Sequence, residues 1–368
     1  MNKTQGYIER KGYTMIGTSY LPEGELIRDD ETRAYTSSLD GLKKAMREGR
    51  ILEGVAVRCS GDLTLTVEVG KFTGTIERDE AVFTQGEPVK DIAIITRVGK
   101  PVCFRVLSVT ERGGMPVIKL SRRLAQRECV VNYLSGLTPG DIIAAKVTHL
   151  EHFGAFVDIG CGVASLLPID CVSVSRIDHP AERLRVGCLM PVCVKSVERE
   201  NRMTRRIYVT RRELLGTWEE NAALFRVGQT VTGIVRSIES YGIFVELTPN
   251  LAGLAEWRDD VSVSQTAAVY IKSIVPEKMK IKLVIVDPYK GISPKRQAFA
   301  GCFPSVPQQV ESAETDNTDD TDSVGTPDAD SPANLAEALH ISRWRYSPDC
   351  CPRVIETVFD GDGTNNQS

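Results

Sequence analysis

The chain is poor in the residues from which metal sites and catalytic centres are commonly built. Its 368 residues include ten cysteines, none of them in a Cys-x-x-Cys pair, and four scattered histidines at positions 149, 152, 179 and 340. Zinc sites need closely paired ligands, so we expect no metal. No Walker phosphate loop, nucleophile elbow or carboxylate metal cluster occurs outside a low-complexity acidic stretch. We therefore expect no catalytic residues, no cofactor and no enzymatic activity.

Long apolar runs are also missing. No stretch approaches the roughly 18 apolar residues that a membrane-spanning helix needs, and residues 1–6 lack the apolar core of a signal peptide. We expect no membrane association and a cytoplasmic location. In that reducing compartment most cysteines are expected to be small buried hydrophobes. The adjacent Cys350 and Cys351 are either a redox switch or part of a packed turn between Pro348 and Pro352.

The net charge of −4 conceals an uneven distribution. Residues 311–330 contain eight acids and no lysine or arginine. Without them the rest of the chain carries about +4, which is far below the excess of a duplex-DNA binder. Such a mildly basic chain suits a ligand held by stacking as well as by charge.

Two segments of the chain are copies of each other at an offset of 88 residues, without a gap. Gly140 corresponds to Gly228, and an aromatic-Gly-small-aromatic sequence at Phe153–Phe156 corresponds to the one at Tyr241–Phe244. A third, weaker copy, rich in alternating apolar residues, precedes them. Self-similarity of this kind indicates one supersecondary unit used repeatedly.

Each copy contains about five short strands, and helical connectors are predicted over 122–134 and 212–224. In the second copy the strands are predicted over 142–150, 154–159, 164–167, 189–196 and 207–210. Five strands of this size fit a small Greek-key barrel of the oligonucleotide-binding (OB) type, whereas an open sheet would leave apolar edges unpaired. We predict an all-β chain of three tandem five-stranded OB-fold barrels joined by short helices, followed by an acidic disordered C-terminal tail.

The predicted division of the chain follows from these patterns. An N-terminal segment with a short helix spans 1–47, a degenerate barrel 48–122, and two further barrels 138–212 and 226–287. The acidic tail spans 305–334, and a C-terminal segment that folds back spans 335–368. The tail is too polar to bury a core.

Phe153 and Phe156 stand three residues apart, so a regular strand would point them to opposite faces. A bulge or twist at Gly154 could bring both rings to one surface. The alternative is that both rings belong to the core. Because the same spacing recurs at Tyr241 and Phe244, we favour two displayed aromatic pairs, suited to stacking on unpaired bases.

A basic residue is expected beside each aromatic pair. Arg206 and Lys280 occupy the same place, just before the final strand of their copies, where a cation can meet a backbone phosphate. The alternative is an ordinary solvated turn.

These residues resemble the RNA-binding repeat of bacterial small-subunit ribosomal protein S1, over roughly residues 48–287. The resemblance implies a ligand face of two aromatics, a histidine after the third strand, an acid, and a basic residue near the fifth strand. It therefore implies RNA-binding roles for Phe153, Phe156, Glu198, Arg206, Tyr241, Phe244 and Lys280. Pro168 and Glu256 replace the histidine, Val275 replaces the second acid, and the first copy has Leu63 and a neighbour in place of aromatics.

The resemblance implies a monomeric protein that holds single-stranded mRNA at the small ribosomal subunit. Two other functions stay open: an accessory or regulator in RNA degradation, and a scaffold whose barrels bind proteins. The degenerate first barrel is a candidate for protein contacts.

Overall fold

The computed structural model describes residues 20–289, apart from 85, 87, 201 and 202, and residues 340–360. The predicted acidic tail at 305–334 lies outside this part of the chain. Among the described residues no helix is long and apolar enough to span a bilayer.

In this part of the chain three closed five-stranded barrels follow one another. Barrel one contains β1–β5: Ile51–Cys59, Leu65–Val69, Phe72–Ile76, Pro101–Arg112 and Met115–Ser121. Barrel two contains β6–β10: Ile142–Glu151, Gly154–Asp158, Ala164–Pro168, Leu189–Glu200 and Met203–Thr210. Barrel three contains β11–β15: Thr230–Glu239, Gly242–Thr248, Leu251–Ala255, Thr266–Val275 and Lys280–Asp287.

All three barrels share one topology. The first strand pairs antiparallel with the second and the fourth, and the third strand closes the barrel by pairing parallel with the fifth. Closure removes the open edges of the sheet. The prediction of tandem OB-type barrels is therefore confirmed, and the open-sheet alternative is wrong.

Short helices cap and join the barrels: α1 to α5 span Asp30–Thr36, Leu39–Glu48, Asp91–Ile95, Arg122–Asn132 and Trp218–Ala222. Ser38 caps the predicted helix α2 by accepting a hydrogen bond from the Gly41 amide, and Ser121 caps the connector α4 through Leu124. The connector after barrel two, predicted as one helix over 212–224, consists of a 3-10 turn, Arg212–Leu215, followed by α5. Sequence patterns do not reveal α1 and α3, because α1 buries only threonines and α3 is five residues long.

Strand alternation builds each barrel core. In β7, Ala155 and Val157 are fully buried while Phe156 between them is only half-buried. The core of barrel two extends beyond its own strands through α4 to Cys103 on β4 of barrel one. Cys103 thus packs into the core of barrel two, while the other buried residues of barrel one form a core of their own.

A buried polar cluster sits at the junction of barrels one and two. The amide of Glu23 donates to the Asp158 carboxylate at 2.7 Å, and the Glu23 carboxylate accepts from Arg122 Nε at 2.6 Å and Nη2 at 3.0 Å. Burial, together with the negative charge of Glu23, raises the pKa of Asp158 to about 7. The segment before β1 therefore fastens the two barrels together.

Barrels two and three meet through a second ionic network. Arg236 on β11 binds Glu246 with Nε at 2.6 Å from Oε2 and also pairs with Glu182, while Arg183 pairs with Glu246. The hydroxyl of Ser173 donates to the Pro249 carbonyl at 2.7 Å. The charges of these two arginines and two glutamates cancel, and the ion pairs require a defined orientation of barrel three relative to barrel two.

Residues 340–360 of the C-terminal segment pack against the preceding part of the chain. Its strands β16 and β17, Arg343–Arg345 and Glu356–Val358, form a hairpin-like sheet. The amide of Ile341 donates to the Gly140 carbonyl at 2.8 Å, and Trp218 donates its amide to the Tyr346 carbonyl at 2.8 Å. The segment thus bridges barrel two and the connector that follows it.

The adjacent cysteines lie in a turn of this segment. The Cys351 amide donates to the Pro348 carbonyl at 3.1 Å. Cys351 is buried, Cys350 is exposed, and both are free thiols. This geometry favours the packed turn over a redox switch.

Candidate nucleic-acid interface

Two aromatic pairs lie on the outer surfaces of barrels two and three with almost the same geometry. The rings of Phe153 and Phe156 are 6.0 Å apart at 88°, and those of Tyr241 and Phe244 are 6.2 Å apart at 87°. Phe153 is 56% exposed and Tyr241 is 68% exposed, while Phe156 and Phe244 are half-buried. None of the four rings lies in a barrel core, so the core alternative is wrong.

The turn before the second strand, not a bulge at the glycine, brings each pair to one face. Phe153 lies in the β6–β7 turn, so it is released from strand alternation, and Gly154 begins β7. The register irregularity falls on the facing strand, between Val147 and His149. The glycine is needed because a Cβ on Gly154 would lie 2.4 Å from the carbonyl oxygen of Leu167.

The same construction recurs in barrel three. A Cβ on Gly242 would lie 2.6 Å from the carbonyl oxygen of Ala255, and the register shift again falls on the first strand, between Val235 and Ser237. Two local sequences with the same constraints therefore produce the same display of rings.

Pairing registers extend each aromatic pair into a row across the barrel. In barrel two, Phe156 faces Leu166 on β8, which in turn faces Tyr208 on β10. In barrel three the corresponding row is Phe244, Leu254 and Lys282. Adjacent cross-strand side chains on one face are close enough to act on a common ligand.

Sequence reasoning missed Tyr208 and Lys282. The alternation of apolar residues in β10 could have indicated Tyr208: Ile207 and Val209 are buried, so the residue between them faces outward. What the sequence could not supply is the parallel pairing that sets Tyr208 beside Leu166.

The predicted charged residues lie at the end of these rows. Arg206 is exposed and lies within β10, not before it, directly opposite Glu198 on β9. Lys280 is exposed at the first position of β15, opposite Val275. In barrel two the outward positions of β10 therefore present a cation and an aromatic ring two residues apart.

Barrel one carries the same row without rings. The register pairs Thr66 with Thr75 and Thr75 with Lys119, and the β1–β2 irregularity matches those of the other barrels, so Thr66 takes the place of Phe156. Leu63 stands three residues earlier, as predicted for the degenerate copy. This surface can form hydrogen bonds but cannot stack on bases.

Pro168 and Glu256, which replace the expected histidine in barrels two and three, differ in exposure. Pro168 is half-buried against Gly154, while Glu256 is exposed and lies 3.5 Å from Lys272 Nζ. Among the described residues no group of His, Cys, Asp or Glu is arranged to hold a metal ion.

Comparison with known proteins matches part of this surface to a family model. Residues 137–206, which include all five strands of barrel two apart from its final residues, match the S1 RNA binding domain. The small ribosomal subunit protein bS1 of Rhizobium meliloti (strain 1021) is 27% identical over 300 residues, covering 77% of this chain and 50% of that protein. The bS1 of Rhodopseudomonas palustris (strain ATCC BAA-98 / CGA009) is 30% identical over 281 residues, covering 72% and 47%.

Among solved structures, a multidomain protein with nucleic acid binding domains from Streptococcus pneumoniae TIGR4 aligns at 15% identity over 64% of this chain and 72% of that chain, with a TM-score of 0.20. That score is too low to indicate a shared overall arrangement. The chain spans about half the length of the bS1 relatives described above. The chain is therefore a tandem-barrel protein similar in sequence to the bacterial small ribosomal subunit protein bS1, and its residues 137–206 match the S1 RNA binding domain.

Proposed function

We propose that this chain is a non-catalytic, monomeric RNA-binding protein of the ribosomal S1 type. It binds single-stranded mRNA in the cytoplasm, at the small ribosomal subunit, through barrels two and three. The names of its relatives, which are small-subunit ribosomal proteins, support the ribosomal setting.

The repeated aromatic pair is the observation that carries this proposal. Edge-to-face rings held at the same spacing on two barrels expose flat surfaces to solvent, and a base stacked on such a ring contributes ~1–3 kcal/mol with little dependence on sequence. Arg206 and Lys280 near the same rows provide cations for phosphates. We assign RNA contacts to Phe153, Phe156, Glu198, Arg206, Tyr241, Phe244 and Lys280, and add Tyr208 and Lys282.

Barrel one has a different role in this proposal. Its row of Thr66, Thr75 and Lys119 lacks stacking groups, and Cys103 of this barrel packs into the core of barrel two. We infer that barrel one positions barrel two or contacts protein, while the RNA lies on the other two barrels.

The test replaces one ring in each binding barrel. Phe156→Ala combined with Phe244→Ala should weaken binding of a single-stranded uridine oligonucleotide more than tenfold, because two stacking contacts of ~1–3 kcal/mol are lost. The matched control is Leu63→Ala with Thr66→Ala in barrel one, which should change affinity less than twofold. Fluorescence anisotropy gives the affinities, and thermal melts show whether each variant is folded.

Unchanged affinity in a folded Phe156/Phe244 variant would contradict the assignment of the site. Binding of protein partners without RNA would favour the scaffold, and cleavage of the RNA with Mg²⁺ present would contradict a non-catalytic role. Cosedimentation with small ribosomal subunits tests the proposed partner.

A further inference from the structure

A cleft of about 170 Å³ lies between barrels two and three. Arg176 and Asp178 line it from barrel two, and four residues line it from barrel three: Arg236, Ser237, Val263 and Ser264. The cleft is therefore lined by two guanidinium groups, a carboxylate, two hydroxyls and the apolar side chain of Val263. This mixture of groups suits a nucleotide better than a bare phosphate, since a nucleotide presents anionic oxygens, hydroxyls and an apolar base.

The cleft adjoins the aromatic pair of barrel three. Ser237 on its wall is the direct cross-strand partner of Phe244. Because cross-strand partners project from the same face of a sheet, a ligand stacked on Phe244 is next to the cleft.

The cleft is also joined to the aromatic pair of barrel two. His152 precedes Phe153 in the β6–β7 turn, and its ring contacts that of His179 edge-on, with centroids 4.8 Å apart. His179 in turn follows Asp178, which lines the cleft. The contact between the two histidine rings thus connects the turn that carries Phe153 with the loop that lines the cleft.

The ionic network holds the two sides of the cleft in a fixed relation. Arg236 lines the cleft and binds Glu182 of barrel two and Glu246 of barrel three, with side-chain exposures of 12%, 28% and 4%. Arg176 differs, because among the described residues no carboxylate forms an ion pair with it. Its guanidinium is available to a ligand, whereas that of Arg236 is occupied by its two glutamates.

We propose that this cleft binds one nucleotide of an RNA strand that runs from the rings of barrel two to those of barrel three. Arg176 contacts the phosphate, and Asp178 accepts a hydrogen bond from the ribose 2′-hydroxyl, a group that distinguishes RNA from DNA. The inference rests on the proposed function and deepens it. Barrels two and three then form one continuous site instead of two independent sites joined by a tether.

The experiment measures binding of two uridine oligonucleotides to the full chain, one of about four nucleotides and one of about sixteen, lengths that bracket the site of a single OB fold. Arg176→Gln should weaken binding of the long RNA three- to tenfold and leave the short RNA unaffected. Loss of one phosphate contact should also reduce the slope of log K against log salt by about 0.7. Arg47→Gln, at an exposed arginine on α2 of barrel one, is the matched control and should change neither quantity.

Asp178→Ala tests the ribose contact separately. The ratio of affinities for long RNA and for DNA of the same length should fall at least threefold, and this ratio is insensitive to the general gain in affinity expected from removing an acid. An unchanged ratio would overturn the ribose assignment.

The outcomes separate this inference from the proposed function. If Arg176→Gln matches the wild type in affinity and salt slope while the Phe156/Phe244 variant still loses binding, the bridging cleft is wrong and the RNA-binding surfaces remain. Equal weakening of short and long RNA by Arg176→Gln also overturns the bridge. If the Phe156/Phe244 variant binds normally, the proposed function itself fails.

Discussion

Removing the charge of Arg122 should loosen the junction of barrels one and two. Arg122 and Glu23 are 3% and 6% exposed and share two hydrogen bonds, of 2.6 and 3.0 Å. Arg122→Met keeps a long apolar side chain but leaves Glu23 buried beside the Asp158 carboxyl, with Arg97 as the nearest remaining cation at 3.6 Å. Breaking one partner of a buried pair typically costs about 3–5 kcal/mol.

That cost has a measurable consequence at the junction. Since 1.4 kcal/mol corresponds to a tenfold change in an equilibrium constant, local opening should become roughly a hundred to a few thousand times more frequent. Hydrogen exchange followed by mass spectrometry on peptides covering β4 and β7 reads this opening directly. Peptides from barrel three report whether the effect stays local.

Two further variants serve as controls for Arg122→Met. Arg123→Met, on the same helix, breaks the partly exposed pair with Glu80 and should cost less than about 1 kcal/mol. The double variant Arg122→Met with Glu23→Leu removes both charges and should be more stable than Arg122→Met alone, because the Glu23 carboxylate is no longer buried without its partner. Should Arg122→Met exchange like Arg123→Met, or should the double variant open more than the single one, the buried pair does not hold the junction.

Two other predictions concern titration and packing. Burial raises the pKa of Asp158 to about 7 in the folded protein, whereas the pKa in the unfolded chain is about 3.9. Between these two pH values the folded state keeps the Asp158 proton and the unfolded state loses it. The contribution of Asp158 to the free energy of unfolding is therefore full below about pH 4 and is lost as the pH rises through 7. Asp158→Asn should therefore gain stability relative to the wild type between pH 5 and 8 in urea titrations, and a difference that stays constant over this range would contradict the assignment. Gly242→Ala should destabilise barrel three by about 1–3 kcal/mol, because its new methyl meets the Ala255 carbonyl. The fluorescence of Trp257 during urea unfolding measures this change. An unchanged unfolding midpoint would show that the strands can separate without cost.

Local sequence determined the repeating parts of this protein. The 88-residue offset predicted two barrels of the same construction, and alternation in β7 placed Val157 inside and Phe156 outside. The strand positions of barrel two followed from turn residues and apolar alternation. These features depend on neighbours within a few residues, which a sequence displays directly.

Tertiary structure alone decided which distant residues meet. The row from Phe156 to Tyr208 depends on the parallel pairing of β8 with β10, and the buried pair of Glu23 with Arg122 joins residues 99 positions apart. The cleft beside Arg176 exists only because an ionic network sets barrel three against barrel two. Strand register and ion pairing between barrels follow from how closed sheets pack against each other, and no local pattern of residues encodes that packing.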